Sequence, residues 1–371
     1  RALGARRAHL AGGVSGEPEL FTRLAALPLA VESCVLEGLR RDVSSDFTRQ
    51  TTVIRLRGGG QEGVGEDVTY DGPDHDVLQA AGPPSGLDGT GTLGDFCARV
   101  EGLNLWPRPP AREPSRRYRI WGFESAGLDL ALRQAGLPLH EAIGREPEPV
   151  TFVVSLRLGN PSTLEPVARR LDRYPTLRFK LDPAADWDDD LIAALVATGA
   201  VDSVDLKGLY TGTIVDLPAD PALYRRIAEA FADAWIEDPR LTPETDEVLR
   251  PHRDRITWDA NIHGVADIDA LPFPPRMVNV KPSRVGSLLD LLTTYDVCER
   301  RGIGMYGGGQ FELGPGRGQI QYLASLFHPG TPNDVAPGGY NDPDPPPGLP
   351  ASPLPPAPSA TGFRWGDWAE E

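Results

Sequence analysis

Cysteine is scarce in this chain. Only Cys34, Cys97 and Cys298 occur among 371 residues, an odd number at wide spacing, which excludes a disulfide framework and a thiolate zinc site and fits a reducing cytoplasm. Long apolar runs are missing too. No stretch approaches bilayer-spanning length, and the opening RALGARRAHLAGG lacks the apolar core of a secretory signal. Positive charge is in deficit, 37 Lys and Arg against 53 Asp and Glu, for a net charge of -16. Such a field repels nucleic-acid phosphates and anionic membrane surfaces, so neither partner is expected and a small molecule remains. An anionic substrate then needs locally concentrated cations, which a bound divalent metal and clustered lysines supply. The chain opens on Arg1 rather than Met, so a native start upstream is expected. The sequence leaves open whether the chain forms a homo-oligomer.

The length exceeds what one small core holds, which favours a large barrel-type domain with a smaller partner. Residues 28–43 and 50–57 read as strands, and GGGQEGVG at 58–65 as the hairpin loop leading into a third, EDVTY. A phosphate cradle is a poor reading of those glycines, because no Lys-Ser or Lys-Thr follows and a strand rather than a helix comes next. The Gly-, Pro- and Asp-rich segment 71–117 is expected to be mostly irregular, with one short helical stretch at DFCARV. Apolar residues then recur at helical spacing over 123–143 until Gly136 and Pro138 interrupt them.

From about residue 150 short apolar runs alternate with amphipathic helices, the signature of βα units on a parallel sheet. The runs are TFVVSLRL, TLRFKL, VDSVDL, AWIE, RITWD, MVNVK and GIGMY, and DVA near residue 335 offers an eighth, so a closed barrel is expected. The acidic run DWDDD at 186–190 suits the first turn of a helix, where negative charge complements the dipole. The expected division is a capping domain over 1–148 with the tail 359–371 packed on it, a barrel over 149–340, and a proline-rich linker over 341–358.

Reacting groups of such barrels sit where the strands finish. In order, these ends carry Arg178 and Lys180, then Asp205, Glu237, Asp259 and Lys281. Three carboxylates from successive strands can converge on one hard cation, and oxygen-only ligation favours Mg²⁺, with Mn²⁺ as the alternative ion. Removing a proton beside a carboxylate builds a second negative charge on that group. A divalent cation offsets it while a lysine beside the α-carbon takes the proton. Lysine acts as a base only when its pKa is lowered, by a neighbouring cation such as Arg178 or by the metal; Arg178 pairing with Asp205 or Glu237 as a structural bridge is an equal reading.

These residues resemble the enolase superfamily, in particular its muconate-cycloisomerase-like, o-succinylbenzoate-synthase-like and mandelate-racemase-like members. Lys180 in Arg178-Phe-Lys180 falls on the second position of the family's Lys-x-Lys, with Arg178 a departure. Asp205, Glu237 and Asp259 fall on its metal carboxylates, and Lys281 in NVKPSRVGSL on the sixth-strand base. MYGGGQFELGPGRG resembles the seventh-strand turn, where Glu312 would support the site. The resemblance implies an α/β fold, a modified TIM barrel (β/α)7β with an N-terminal α+β capping domain whose loops close over the substrate.

Lys207 stands where relatives have Asn, and would contact a substrate anion or the metal-bound carboxylates. His263, just beyond Asp259, is within reach of the site, more as a wall residue than as a catalyst. Asn333-Asp334-Val335 replaces the Asp-x-Asp of dipeptide epimerases, so no dipeptide substrate is assigned. The activity implied is Mg²⁺-dependent proton abstraction alpha to a substrate carboxylate through an enediolate, leading to racemisation or epimerisation. β-Elimination of the dehydratase or o-succinylbenzoate synthase kind is the alternative, and a non-catalytic binding barrel a third reading. Residues 44–49 and the turn at 58–65 are the expected specificity loops, with Arg49 a candidate for a distal anion.

Overall fold

The structure, a computed structural model, describes residues 19–44, 47–210 and 217–368; the Arg-rich opening, Ser45 and Asp46 of the expected specificity loop, and the last residues of the tail lie outside them. The N-terminal region carries β1 (Pro28–Val31), β2 (Ser33–Ser44), β3 (Phe47–Gly58), β4 (Gln61–Asp67) and β5 (Gly89–Thr92). β2, β3 and β4 form an antiparallel sheet, while β1 pairs with β5 alone. The apparent strand 28–43 is thus two. Glu32 is the pivot: its N–H bonds the Arg57 carbonyl at 2.7 Å before the chain turns along β3.

The hairpin loop is confined to Gly59 and Gly60, both at positive φ, and β4 starts inside the glycine run rather than after it. A side chain on β4 would collide with the long helix Ser115–Ala135: a Cβ at Gly63 would lie 2.3 Å from the Leu130 nitrogen, and one at Gly65 2.2 Å from the Gly122 oxygen. The glycines permit that close packing.

Segment 71–117 is not irregular. It forms helices Gly72–Ala81 and Leu93–Gly102 and the start of Ser115–Ala135. Pro73 sits in the first turn of one, and Thr92 and Asp95 form a reciprocal capping box on the other. The second contains the expected DFCARV stretch and extends it at both ends, while the first starts at its proline turn without a side-chain cap.

Seven parallel strands follow: β6 (Val154–Arg157), β7 (Phe179–Asp182), β8 (Val201–Asp205), β9 (Trp235–Glu237), β10 (Ile256–Trp258), β11 (Met277–Asn279) and β12 (Gly304–Tyr306), in sequential order. Parallel bridges from Asn333 to Phe152 and from Asp334 to Gly308 join the two edges, so the eighth segment closes the ring. Asn333 pins the closure. Its amide donates to the carbonyls of Thr151, His328 and Thr331 at 2.9–3.0 Å and its Oδ1 accepts from the Gly307 N–H at 2.6 Å.

The proline-rich stretch packs along the barrel flank rather than hanging free. Arg170 donates to the carbonyls of Tyr340 and Asp342 at 2.9 and 2.6 Å, and Val150 and Leu354 exchange backbone hydrogen bonds. Beyond it, Arg364 and the Phe363 N–H meet Asp129 of the long helix at 2.9 and 2.7 Å. No helix among the described residues is long and apolar enough to cross a membrane.

Candidate active site

The mouth of the barrel is where the strands end, and it is filled with charge. Lys180, third from the end of β7, is 2 % exposed; its ammonium lies 3.0 Å from Asp205 Oδ2, pairs with Glu237 Oε1, and stands 3.8 Å from Asp334. Across the ring, Lys281 follows β11 at 6 % exposure and donates to Asp259 Oδ2 at 2.9 Å. Arg284 takes the other Asp259 oxygen, and Tyr210 Oη reaches Oδ2 at 3.1 Å. Tyr306, at the end of β12, donates to Glu237 Oε2 at 2.7 Å.

The two lysines differ in charge environment. Burial alone would lower Lys180, but Asp205 and Glu237 raise it well above the ordinary lysine value. Burial lowers Lys281, and Arg284 and Lys180 add to that against the opposing pull of Asp259. Among the acids, Asp205 and Asp259 are held below the carboxylate range despite burial, the first by Lys180 and Lys207, the second by Arg284 and Lys281. Burial and the Asp205 charge push Glu237 well above its usual range.

The sequence reading missed Asp238. Residues next to one another on a strand point to opposite sides, so Asp238 should leave the mouth when Glu237 enters it. Its φ of 49° breaks that alternation. Carboxylate oxygens of Asp205, Glu237 and Asp238 come within 4.8 Å of one another. Both Asp238 oxygens are engaged by backbone, from the N–H groups of Asp259 and Ala260 at 2.8 and 2.9 Å. Burial and the charges of Asp259 and Asp205 push its pKa up to about 7. Arg284 was missed because a one-turn helix, Pro282–Val285, folds it back over Asp259. Tyr306 and Asp182, both at strand ends, were within reach of the strand-end rule.

Other expected residues fall elsewhere. Arg178 does not adjoin Lys180, Asp205 or Glu237. It pairs with Asp202 at the start of β8, with Nε–Oδ1 2.9 Å, and with the Gly199 carbonyl, at the opposite end of the strand. His263 lies beside the mouth, its Nδ1 3.3 Å from Asp267, and contacts none of the lysines or carboxylates above. Glu312 accepts from the Gln310 N–H at 2.5 Å and pairs with Arg317 at 2.9 Å, shaping the loop after β12. Arg49 is fully buried and spends its guanidinium on the carbonyls of Val68, Thr69, Gln310 and Phe311, so it fastens the cap to that loop instead of awaiting an anion. The turn at 58–60 packs against Gln134, whose amide bonds the Gly58 carbonyl at 2.9 Å, whereas the far end of β4 leads to Tyr70 beside Arg49.

The donor set suits a hard divalent cation: buried carboxylate oxygens only, with no sulfur or imidazole among them. The fold is that of solved enolase-superfamily members, such as one from Listeria innocua that superposes with a TM-score of 0.60 at 19% identity, over 83% of this chain and 86% of that one. The chain belongs to the family described as Domain of unknown function (DUF8230), whose C-terminal domain matches residues 146–342 and whose N-terminal domain matches 22–142.

Among characterised proteins it is 29% identical over 305 residues to an N-succinylamino acid racemase of Thermus thermophilus, covering 78% of each chain. It is 27% identical over 242 residues to an o-succinylbenzoate synthase of Bacillus subtilis, covering 62% of each. A crystal structure of a dipeptide epimerase from Methylococcus capsulatus complexed with Mg ion superposes with a TM-score of 0.62 at 20% identity, over 82% of this chain and 89% of that one.

Proposed function

We propose that the protein removes the proton alpha to the carboxylate of a small-molecule acid and returns it to either face, racemising or epimerising the substrate with the help of Mg²⁺. The observation that carries this is the opposition of Lys180 and Lys281. Three strands, β8 to β10, separate their strands in the sheet order, so the two ammonium groups approach the mouth from opposite sides, both buried. A substrate whose α-carbon lies between them meets Lys281, whose pKa burial lowers, as the amine on one face and Lys180 as the ammonium on the other. For the reverse direction Lys180 becomes the base once a cation bound to Asp205 and Glu237 offsets the charges that raise it. Burial strengthens the electrostatic contacts to the reacting carboxylate, and between turnovers the lysine protons exchange with solvent.

Asp205, Glu237 and Asp259 are assigned as the metal carboxylates. Each is engaged by side-chain cations, whereas both Asp238 oxygens are taken by backbone N–H groups that hold the bend presenting Asp259. When bound, a divalent cation offsets the charge that grows on the substrate carboxylate as the proton leaves. The names of the relatives support N-succinylated amino acids as the first substrates to try.

The test is ¹H NMR in deuterated water with Mg²⁺ and single enantiomers of N-succinylamino acids. Deuterium at the α-carbon with decay of optical rotation is the expected result. An unsaturated product without α-exchange would replace racemisation by elimination, and complete silence across N-acylamino, hydroxy and cyclohexadienyl acids would overturn the reading.

A further inference from the structure

Among the described residues, four cations pair with Asp205, Glu237 and Asp259, and three have evident work. Lys180 and Lys281 flank the reacting carbon, and Arg284 secures Asp259 beside Lys281. Lys207 is the remaining one. Its backbone N–H donates to Asp205 Oδ1 at 3.1 Å and its ammonium pairs with Asp205 Oδ2, so this one residue claims both oxygens of a carboxylate assigned to the metal. It does so from a left-handed backbone, φ 50°, which asparagine and glycine adopt far more readily than lysine. The turn that enforces this is tightly built: the Gly208 N–H bonds the Asp238 carbonyl at 2.9 Å, and a Cβ at Gly208 would fall 2.3 Å from the Arg240 nitrogen.

A second anion waits beside the same ammonium. Asp182, two residues after Lys180 on β7, has Oδ2 paired with the exposed Arg157 at 3.2 Å and places Oδ1 3.5 Å from Lys207 Nζ. That oxygen is buried and has no hydrogen-bond partner among the described residues. Lys207 therefore has two stations, one on Asp205 and one on Asp182, separated by a small swing of a flexible side chain.

We propose that Lys207 is a built-in competitor of the divalent cation: its ammonium neutralises Asp205 when no metal is bound and retires onto Asp182 when the metal takes Asp205. This rests on the metal reading given above. The device lowers cation affinity, because the ammonium must be displaced and then remains as a like charge close by. In exchange it keeps the buried carboxylates compensated in the absence of metal.

The experiment is isothermal titration of Mg²⁺ into metal-depleted full-length protein, comparing wild type with Lys207→Asn, which suits the left-handed backbone, and Lys207→Met, which keeps the length but not the charge. Folding is checked for each by circular dichroism. Both variants are expected to bind Mg²⁺ about tenfold more tightly than wild type, with a lower melting temperature before Mg²⁺ is added and a larger rise after it. Asp182→Asn, which removes the second station, is expected to bind more weakly than wild type. Wild-type binding with unchanged or weakened affinity in both Lys207 variants overturns the proposal and leaves the metal reading intact. No heat of binding in any of the proteins overturns both.

Discussion

Two regions of this molecule bury ion pairs, and they do it differently. In the cap and tail, Asp67 and Asp129 are fully buried, each with its own arginine. Asp67 accepts from Arg119 Nε at 2.7 Å and from the Thr69 N–H and hydroxyl, while Arg119 also donates to the carbonyls of Leu105 and Asp74. Asp129 accepts from Arg364 and from the Val64 and Phe363 N–H groups. Rigid guanidinium forks and backbone groups fill nearly every position. At the barrel mouth, by contrast, Lys180 and Lys207 are each shared between several acids beside the Arg284–Asp259 pair, and Lys207, Asp238 and Phe311 hold left-handed backbone. The frame uses partners that cannot leave. The mouth uses partners that can. Buried charge alone therefore does not mark a site; exchangeable compensation with local backbone strain does.

Breaking the frame should cost stability and spare the chemistry. Arg364→Ala strands the buried Asp129 carboxylate and is expected to lower unfolding free energy by about 3–5 kcal/mol in urea melts, with Mg²⁺ affinity of the folded protein unchanged.

His328, at the barrel closure beside Asn333, should make stability depend on pH. Burial lowers its pKa to about 4, and its Nδ1 lies 2.7 Å from Asn333 Oδ1. The unfolded chain, with an ordinary histidine near 6.5, binds the proton first, so the contribution is complete above that pH and is lost as pH falls towards 4. The loss amounts to about 3 kcal/mol. Stability curves of His328→Gln should be flatter than wild type across that window.

Within the mouth, Asp259→Asn is expected to weaken Mg²⁺ binding by about tenfold to a hundredfold and Asp238→Asn by less; the reverse order would make Asp238 the ligand. Smallest in effect is Glu66→Gln. Glu66 accepts from the N–H groups of Leu313, Gly314 and Gly316 at 2.8–3.1 Å, fastening the loop after β12 to the cap. Placing an amide NH₂ against those donors should cost about 1–2 kcal/mol.

The barrel was legible because its strands are short apolar runs between amphipathic helices, and a candidate site could be read because strand ends are where such barrels place reacting groups. Lys180, Asp205, Glu237, Asp259 and Lys281 follow from that rule, and the structure brings them to one mouth. What escaped was set by local geometry. A left-handed φ turns Asp238 inward, a one-turn helix brings Arg284 back over Asp259, and Arg178 pairs with Asp202 at the other end of the strand. None of these has a periodic signature. DFCARV marked the helix Leu93–Gly102, whereas Gly72–Ala81 escaped because its Gly, Pro and Asp content reads as loop.

The central claim is that Lys180 and Lys281 serve opposite faces of one α-carbon. It is tested most directly by measuring α-hydrogen exchange of each enantiomer of an active substrate in deuterated water with Lys180→Ala and with Lys281→Ala. The account predicts that each variant loses racemisation by about a hundredfold or more yet one still exchanges a single enantiomer and the other variant only its mirror image. Equal exchange of both enantiomers in either variant would contradict it.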